Sequence, residues 1–301
     1  MESKAIVTIN LLTYNSSKYV LEMLESIKAQ TYKPLILHVC DDCSTDATVK
    51  MCRKWIEKNR SRFLESRIIM SQNNTGISGN LNRGLDACRT EWLKTADGDD
   101  VLEPDCIETY IRYVSVHPEA TVVFSRVRFF CSKIDSFERN SNWFVENLSP
   151  NEWYERLITQ GNTIPASTSF LNVNRLRELD VKADERLPLL EDYPMWINLA
   201  NKGVKFHYID KELVKYRVGE GGLSSGGSLS INYRKSLRKH YFYYRFPLLY
   251  QKNGDIEINK IVDYEMNLFQ DIQAILNSPS YKIGSFLIKP FKIILDLLKN
   301  K

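Results

Sequence analysis

Trp92-Leu93-Lys94-Thr95-Ala96-Asp97-Gly98-Asp99-Asp100 is a short apolar run that stops abruptly in three carboxylates grouped about one glycine. Three anions within four residues disfavour simultaneous ionisation, so the cluster costs free energy unless a cation or a hydrogen-bonded ligand compensates it. Carboxylates with few other ligand types beside them suit hard cations such as Mg²⁺ or Mn²⁺. Mg²⁺ in particular is held by one or two carboxylates together with the phosphates of its substrate. The plainer reading is an acidic surface turn, because Asp and Gly both form turns. What flanks the stretch decides between the two.

Working outward, the first half of the chain alternates strand-like and helix-like segments. Residues 5–12 are β-prone, 17–30 carry Val20, Leu21, Leu24 and Ile27 at helical spacing, and 35–40 read as a buried strand. Ser44-Thr45-Asp46 supplies capping side chains for a helix that continues through Trp55. Residues 67–70 form a third strand, 72–76 a turn, and 77–88 a helix despite Gly79 and Gly84. Residues 92–96 are strand four. Pro104 is placed as the first residue of a helix over 105–116, and 121–125 are a fifth strand. Repeated β-α-β with continuous apolar strands predicts an α/β fold whose mostly parallel sheet is flanked by helices. In such sheets ligands bind beyond the carboxyl ends of the strands. Thr13-Tyr14-Asn15, Asp41-Asp42-Cys43-Ser44 and Asp97-Gly98-Asp99-Asp100 all lie there, so three polar loops converge on one rim and the acids read as a binding site.

Composition bounds the rest. With 301 residues, 43% hydrophobic and 26% charged, the chain has ordinary globular composition and length for a substantial core. Residues 1–9 carry no secretory signal and no apolar run reaches membrane-spanning length, which makes the cytoplasm the default compartment. The six cysteines are scattered and read as reduced packing thiols, since Cys40 and Cys43 have no second pair to complete a metal or redox motif. Net charge is +4, but residues 231–301 hold twelve Lys/Arg against six Asp/Glu. That basic end is either a surface for anionic lipid or another polyanion, or a solvated helical face.

The ligand can be narrowed from the same residues. An acidic rim repels phosphate unless metal intervenes, while an Asp away from the metal accepts a hydrogen bond from a base or a ribose hydroxyl. Tyr14 either stacks on a base or packs across its strand end. Neither a GxGxxG fingerprint nor a GxxxxGK[ST] loop is present to hold phosphates, which leaves that task to a metal.

Three motifs, Leu12-Thr13-Tyr14-Asn15, Asp41-Asp42-Cys43-Ser44-Thr45-Asp46 and Asp97-Gly98-Asp99-Asp100-Val101-Leu102-Glu103-Pro104-Asp105, resemble those of the family 2 glycosyltransferases with the GT-A fold. The similarity covers about residues 4–217. It implies a GT-A catalytic domain over 1–218, with a nucleotide-binding half to about 103 and an acceptor half beyond, then a Gly/Ser-rich lid and basic helical tail over 219–301. It also implies an enzyme that moves a sugar from a nucleoside diphosphate, usually UDP, to an acceptor hydroxyl with inversion, in surface polysaccharide synthesis. Carried over by position, Thr13, Tyr14, Asn15, Asp42, Asn82 and Asp97 would bind the nucleotide. Asp99, with Asp97, would hold Mg²⁺ or Mn²⁺. Leu190-Glu191-Asp192-Tyr193 is similar to the start of the acceptor-side helix, with Asp192 as general base and Glu191 beside the acceptor. The stretch from Gly161 to Ser167, including Pro165 and Ala166, resembles the acceptor-pocket segment.

The chain departs from the family in two places. Where relatives carry an Arg-Asn pair this sequence has Asn80-Leu81-Asn82-Arg83, so Asn82 matches and Leu81 replaces the base. After Tyr216-Arg217 comes Val218-Gly219-Glu220 with no metal-ligating His, which leaves water or Glu220 to complete the metal shell. In the tail, residues 282–301 mix apolar residues with lysines as a helix in an anionic membrane interface would, or as one folded back on the domain. The interleaved bases and aromatics of 233–245 lack a nucleic-acid module, which argues against that partner. A saccharide or polyprenyl-linked acceptor is the expected partner beside the donor. Two other classes share parts of the pattern: a sugar nucleotidyltransferase, whose Gly-rich basic amino-terminal signature is missing here, and a non-catalytic nucleotide-sugar binder, in which Asp192 would be idle.

Overall fold

The computed structural model describes residues 4–130, 148–218 and 231–245, which belong to one compact unit running as far as Arg245. The expected lid over 219–230, Glu220, Cys131 and the segment 282–301 lie outside the described residues. Elements follow in the order β1 (Val7–Thr13), α1 (Val20–Lys28), β2 (Leu35–Asp41), α2 (Thr48–Asn59), β3 (Glu65–Met70), α3 (Gly76–Ala87), β4 (Trp92–Asp97), β5 (Val101–Leu102) and α4 (Cys106–Val116). Then come β6 (Val122–Phe130), α5 (Pro150–Gln160), β7 (Phe170–Asn172), α6 (Val173–Glu178), α7 (Tyr193–Asn201), β8 (Phe206–Arg217) and α8 (Ile231–His240), the last continued by one π-helical turn, Tyr241–Arg245.

The strands form one eight-stranded sheet in the order β3-β2-β1-β4-β7-β6-β8-β5. Its amino-terminal half is parallel, β1 pairing with β2 and β4 and β2 with β3. All seven residues of β1 are buried, as a strand covered by helices on both faces requires. The sheet then turns mixed: β7 runs antiparallel to both β4 and β6, β5 runs antiparallel to β8, and β6 pairs parallel with β8. The sequence reading found β1 to β4, α1 to α4 and β6 to within a few residues, and it did not find the strands β5, β7 and β8. Three residues are too few for a period-two signal to register in β7.

Register explains why the polar loops meet. Thr13 is level with Asp41, and Leu12 is level with both Cys40 and Asp97, so the three adjacent strands end together. Aromatic stacking closes the sheet at the junction of its halves, where Phe170 lies 4.9 Å from Trp92 and 4.8 Å from Tyr110. Gly84 is needed in α3 because a Cβ there would stand 1.9 Å from Asn10 Nδ2 on β1, so the helix can lie close to the sheet only without a side chain. Helix α4 begins two residues after Pro104, with Asp105 at its N-cap position. The Asp105 carboxylate pairs with Lys211 and accepts from Thr109 Oγ1, and the side chain rather than the proline ring organises this start. Helix α5 opens on a capping box between Ser149 and Glu152, a device worth about 1 kcal/mol. Cys40, Cys43, Cys52, Cys88 and Cys106 are free thiols, as expected of packing cysteines.

Candidate active site

The loop after β4 is shaped by what surrounds it. Gly98 sits against β1, where an added Cβ would lie 2.7 Å from Ser16 Oγ and 3.2 Å from the Leu12 carbonyl. The loop can pack this closely on β1 only because the residue between the acids has no side chain. Arg217, the last residue of β8, clamps the loop from below. Its amide donates to Asp100 Oδ1 at 2.9 Å, its Nε donates to the Asp99 carbonyl at 2.7 Å, and its guanidinium pairs with Glu22 and lies 4.1 Å from the Tyr19 ring centre.

Charge in this loop is poorly compensated. Burial, then Asp99, then Asp192 push Asp97 up to about 7, with Lys94 acting in the opposite sense. Asp99 is raised by burial, and Asp100 well above the carboxylate range by burial and by its two neighbours. Among the described residues no group of another residue donates a hydrogen bond to the Asp97 or Asp99 carboxylate. Lys94 is the buried counterweight, a fully enclosed lysine on β4 whose Nζ donates to the Thr95 carbonyl at 2.6 Å and to the Ser167 carbonyl. Burial lowers its pKa while Asp97 and Asp100 support its charge. Lys94 thereby ties the acid strand to the 165–169 turn, a link reinforced by Thr95 Oγ1 and Ser169 Oγ at 2.7 Å.

One pocket gathers the carboxylates from both halves. Asp97, Ala166, Glu191 and Asp192 line it together with Leu81 and Trp196. Asp192 is the N-cap of α7, its Oδ1 accepting the Tyr193 amide and its Oδ2 accepting Asn162 Nδ2 at 2.7 Å. Burial raises Asp192 to about 6 against those two stabilising hydrogen bonds. Glu191 is pushed well above its usual range by burial, then by Asp192 and Asp97. Pro165 does not line the pocket; its carbonyl accepts the Thr168 amide and hydroxyl and so shapes the turn that presents Ala166.

The other expected nucleotide-binding residues divide into exposed and committed. Tyr14 is 50% exposed at the rim. Thr13 Oγ1 donates to Asp41 Oδ2 at 2.8 Å, and Asn15, in the left-handed region at φ 50°, uses its side-chain oxygen to accept the amides of Thr45 and Asp46. Asp42 is buried and accepts from the Thr75 amide and hydroxyl, from the Gly76 amide at 2.7 Å and from Arg83 at 2.8 Å. Asn82 faces away from this group, donating to the Ala183 carbonyl and Glu185 and accepting the Ala183 amide. Leu81 lines the pocket, while Arg83, two residues on and about half a helical turn round α3, pairs with Asp42. Sequence reasoning also missed Tyr233 of α8. Burial, then Asp192 and Glu191, raise it to about 12, which puts the phenol beside the pocket acids.

An all-oxygen set of poorly compensated carboxylates fits a hard divalent cation. The comparisons agree with the fold around it. Residues 8–174 match the family model described as Glycosyl transferase family 2. An uncharacterized glycosyltransferase of Haemophilus influenzae is 26% identical over the whole chain and 98% of its own length. The Escherichia coli UDP-Glc:alpha-D-GlcNAc-diphosphoundecaprenol beta-1,3-glucosyltransferase WfaP is 26% identical over 73% of this chain and 80% of its own. Among solved structures, S. aureus TarS 1–349 in complex with UDP superposes with a TM-score of 0.56 at 18% identity, covering 85% of this chain and 78% of that one, which shows a shared GT-A fold. The matched span includes both acidic strand ends and the 165–169 turn, and the chain belongs to glycosyl transferase family 2.

Proposed function

We propose that the chain is a metal-dependent, inverting glycosyltransferase that moves a sugar from a UDP-class nucleoside diphosphate donor to a hydroxyl of a saccharide or lipid-linked saccharide acceptor. The observation that carries this reading is the single pocket in which Asp97, at the end of β4, shares a wall with Glu191 and Asp192 at the start of α7. Such a pocket offers a cation-seeking side and a proton-accepting side within one enclosure.

Asp192 is suited to general base work because burial brings its pKa to about 6, close to the working pH yet ionised at neutrality. Asn162 and the Tyr193 amide hold the carboxylate while one oxygen takes the proton from the acceptor hydroxyl. Glu191, raised well above the ordinary range by burial and by Asp192 and Asp97, can in its protonated form donate a hydrogen bond to the acceptor. The acceptor oxygen forms its bond to the anomeric carbon as the bond to the diphosphate breaks, and this single displacement inverts configuration. Asp97 and Asp99 would hold Mg²⁺ or Mn²⁺, which supplies charge stabilisation to the departing diphosphate. Tyr14 presents an open aromatic face on which a base can stack.

The activity for which WfaP is named, with a UDP-sugar donor and a diphosphoundecaprenol-linked acceptor, and the UDP bound to TarS support this choice of partners. No helix among the described residues is long and apolar enough to cross a membrane, and a lipid-linked acceptor would be met at the membrane surface from the cytoplasmic side. The test is nucleotide release from a panel of UDP-, GDP- and TDP-sugars with Mn²⁺, with and without saccharide acceptors. Metal-dependent release that survives unchanged in Asp192→Asn would overturn the assignment of the base. Pyrophosphate release from a nucleoside triphosphate in place of sugar transfer would point to a nucleotidyltransferase.

A further inference from the structure

Away from this pocket, three metal-binding side chains meet where α4 gives way to β6. His117 caps the end of α4, Glu119 follows in the turn, and His207 is the second residue of β8. Val123 of β6 pairs with His207 and, through Phe170, is level with Lys94, so this cluster lies three strands across the sheet from β4. None of the three lines the acidic pocket.

Their ligand atoms all lie within 4.8 Å of one another. His117 Nδ1 stands 3.3 Å and His207 Nε2 3.9 Å from the same Glu119 oxygen. The second distance is too long for an N–H···O hydrogen bond. Ligands on a tetrahedral ion with bonds of about 2.0–2.1 Å sit roughly 3.4 Å apart, so small rotations of the half-buried His117 and the exposed Glu119 would close the set. His207 is 4% exposed, and the other nitrogen of its ring, Nδ1, lies 3.2 Å from the Tyr113 hydroxyl. That contact fixes the ring, and a proton on Nδ1 leaves the Nε2 lone pair facing Glu119, as outer partners do for ligating histidines. The Tyr113 ring also stacks on His117 at 4.4 Å, so one tyrosine orients both imidazoles. Burial lowers the His207 pKa, against an opposing pull from Glu119. Lys205 is close enough to act in the same direction as burial, and its charge opposes a bound cation.

We propose that His117, Glu119 and His207 form a second metal site for a borderline divalent ion of the Zn²⁺ class. Two imidazoles and one carboxylate make a donor set that prefers such an ion to Mg²⁺, with solvent in the fourth position. A bound ion would pin the end of α4 to β8, the strand whose far end carries the Arg217 clamp.

The test is calorimetric titration of the chelator-treated full chain with Zn²⁺ in excess Mg²⁺, so that the all-oxygen site is already filled. One Zn²⁺ equivalent is expected, and it should be lost in His117→Ala and in Glu119→Ala. Glu119 is exposed and His117 only half-buried, so the fold should tolerate the changes. Tyr113→Phe should retain the equivalent with about 10–100-fold weaker affinity. Co²⁺ in place of Zn²⁺ should give visible d–d absorption in the wild type and none in the two alanine variants. The proposal is overturned if no Zn²⁺ binds under excess Mg²⁺, or if the alanine variants bind it as the wild type does. A protonated histidine–glutamate ion pair would give the same structure without metal, and the first of those two results would identify it.

Discussion

At the end of β2, Asp41 and Asp42 are met by donors on every side: Thr13, the Ser44 amide and hydroxyl, Thr75, the Gly76 amide and the Arg83 guanidinium. Two strands away, at the end of β4, Asp97 and Asp99 have no such donors among the described residues; burial raises both, and Asp99 raises Asp97 further. The same residue type stands in similar acidic motifs at one level of one sheet. The first pair stitches the loops after β1, β2 and β3 into a fixed rim. In the second, Asp97 lines the pocket it shares with Glu191 and Asp192. A carboxylate already supplied with hydrogen bonds is inexpensive to keep and does structural work, whereas one without them seeks a cation or a proton.

The comparison can be broken most sharply from the wall opposite β4. Asp192→Asn should lower turnover by about 10²–10⁴-fold with UDP affinity retained, measured as nucleotide release and by direct UDP titration. Asp97→Asn with Asp99→Asn should abolish stabilisation by Mn²⁺. That stabilisation is about 2.7 kcal/mol at a hundredfold excess over the dissociation constant, read as a thermal shift. Without metal this variant should melt at or above the wild-type temperature, because it removes repulsion. Asp42→Asn should do the reverse, keeping the Mn²⁺ response while losing about 2 kcal/mol of stability, since Arg83 and the Gly76 amide lose their charged partner. Equal metal responses in these two variants would refute the division.

Smaller effects sharpen the same contrast. Lys94→Met should cost roughly 1–3 kcal/mol in denaturant unfolding, because the Thr95 and Ser167 carbonyls lose their donor. The pH profile should follow Asp192. Its raised pKa means that the base is protonated below about 6, so kcat/KM should fall about tenfold per unit below that pH and level off above it. In stability the sign is opposite. The folded state binds that proton more tightly than the unfolded chain, a contribution present at low pH and lost as pH rises through about 6.

The parts of this molecule legible in the sequence were those whose signals are local. Strands such as Val7–Thr13 are runs of buried apolar residues, and the acids after Ala96 stand next to one another in the chain. Asp192 was legible only through resemblance, since an acid at a helix start is common. Asn82, Arg83 and Tyr233 were not legible. Whether Asn82 or Arg83 reaches Asp42 depends on which face of α3 meets the sheet, and Tyr233 reaches Asp192 from forty-one residues away along the chain.

By itself the sequence determined that β1, β2 and β4 would be buried, that they would end in polar loops, and that three carboxylates would crowd about Gly98, because hydrophobic period and residue type act over a few neighbours. Only the tertiary structure decided which acidic strand end would be met by hydrogen-bond donors and which would be buried without them. It also decided that Asp192 would share a pocket with Asp97, and that His117 and His207 would meet at Glu119. Burial and compensation are sums over every group within reach, and groups that set them here, such as Arg217 and the acids it contacts, lie more than a hundred residues apart in the chain.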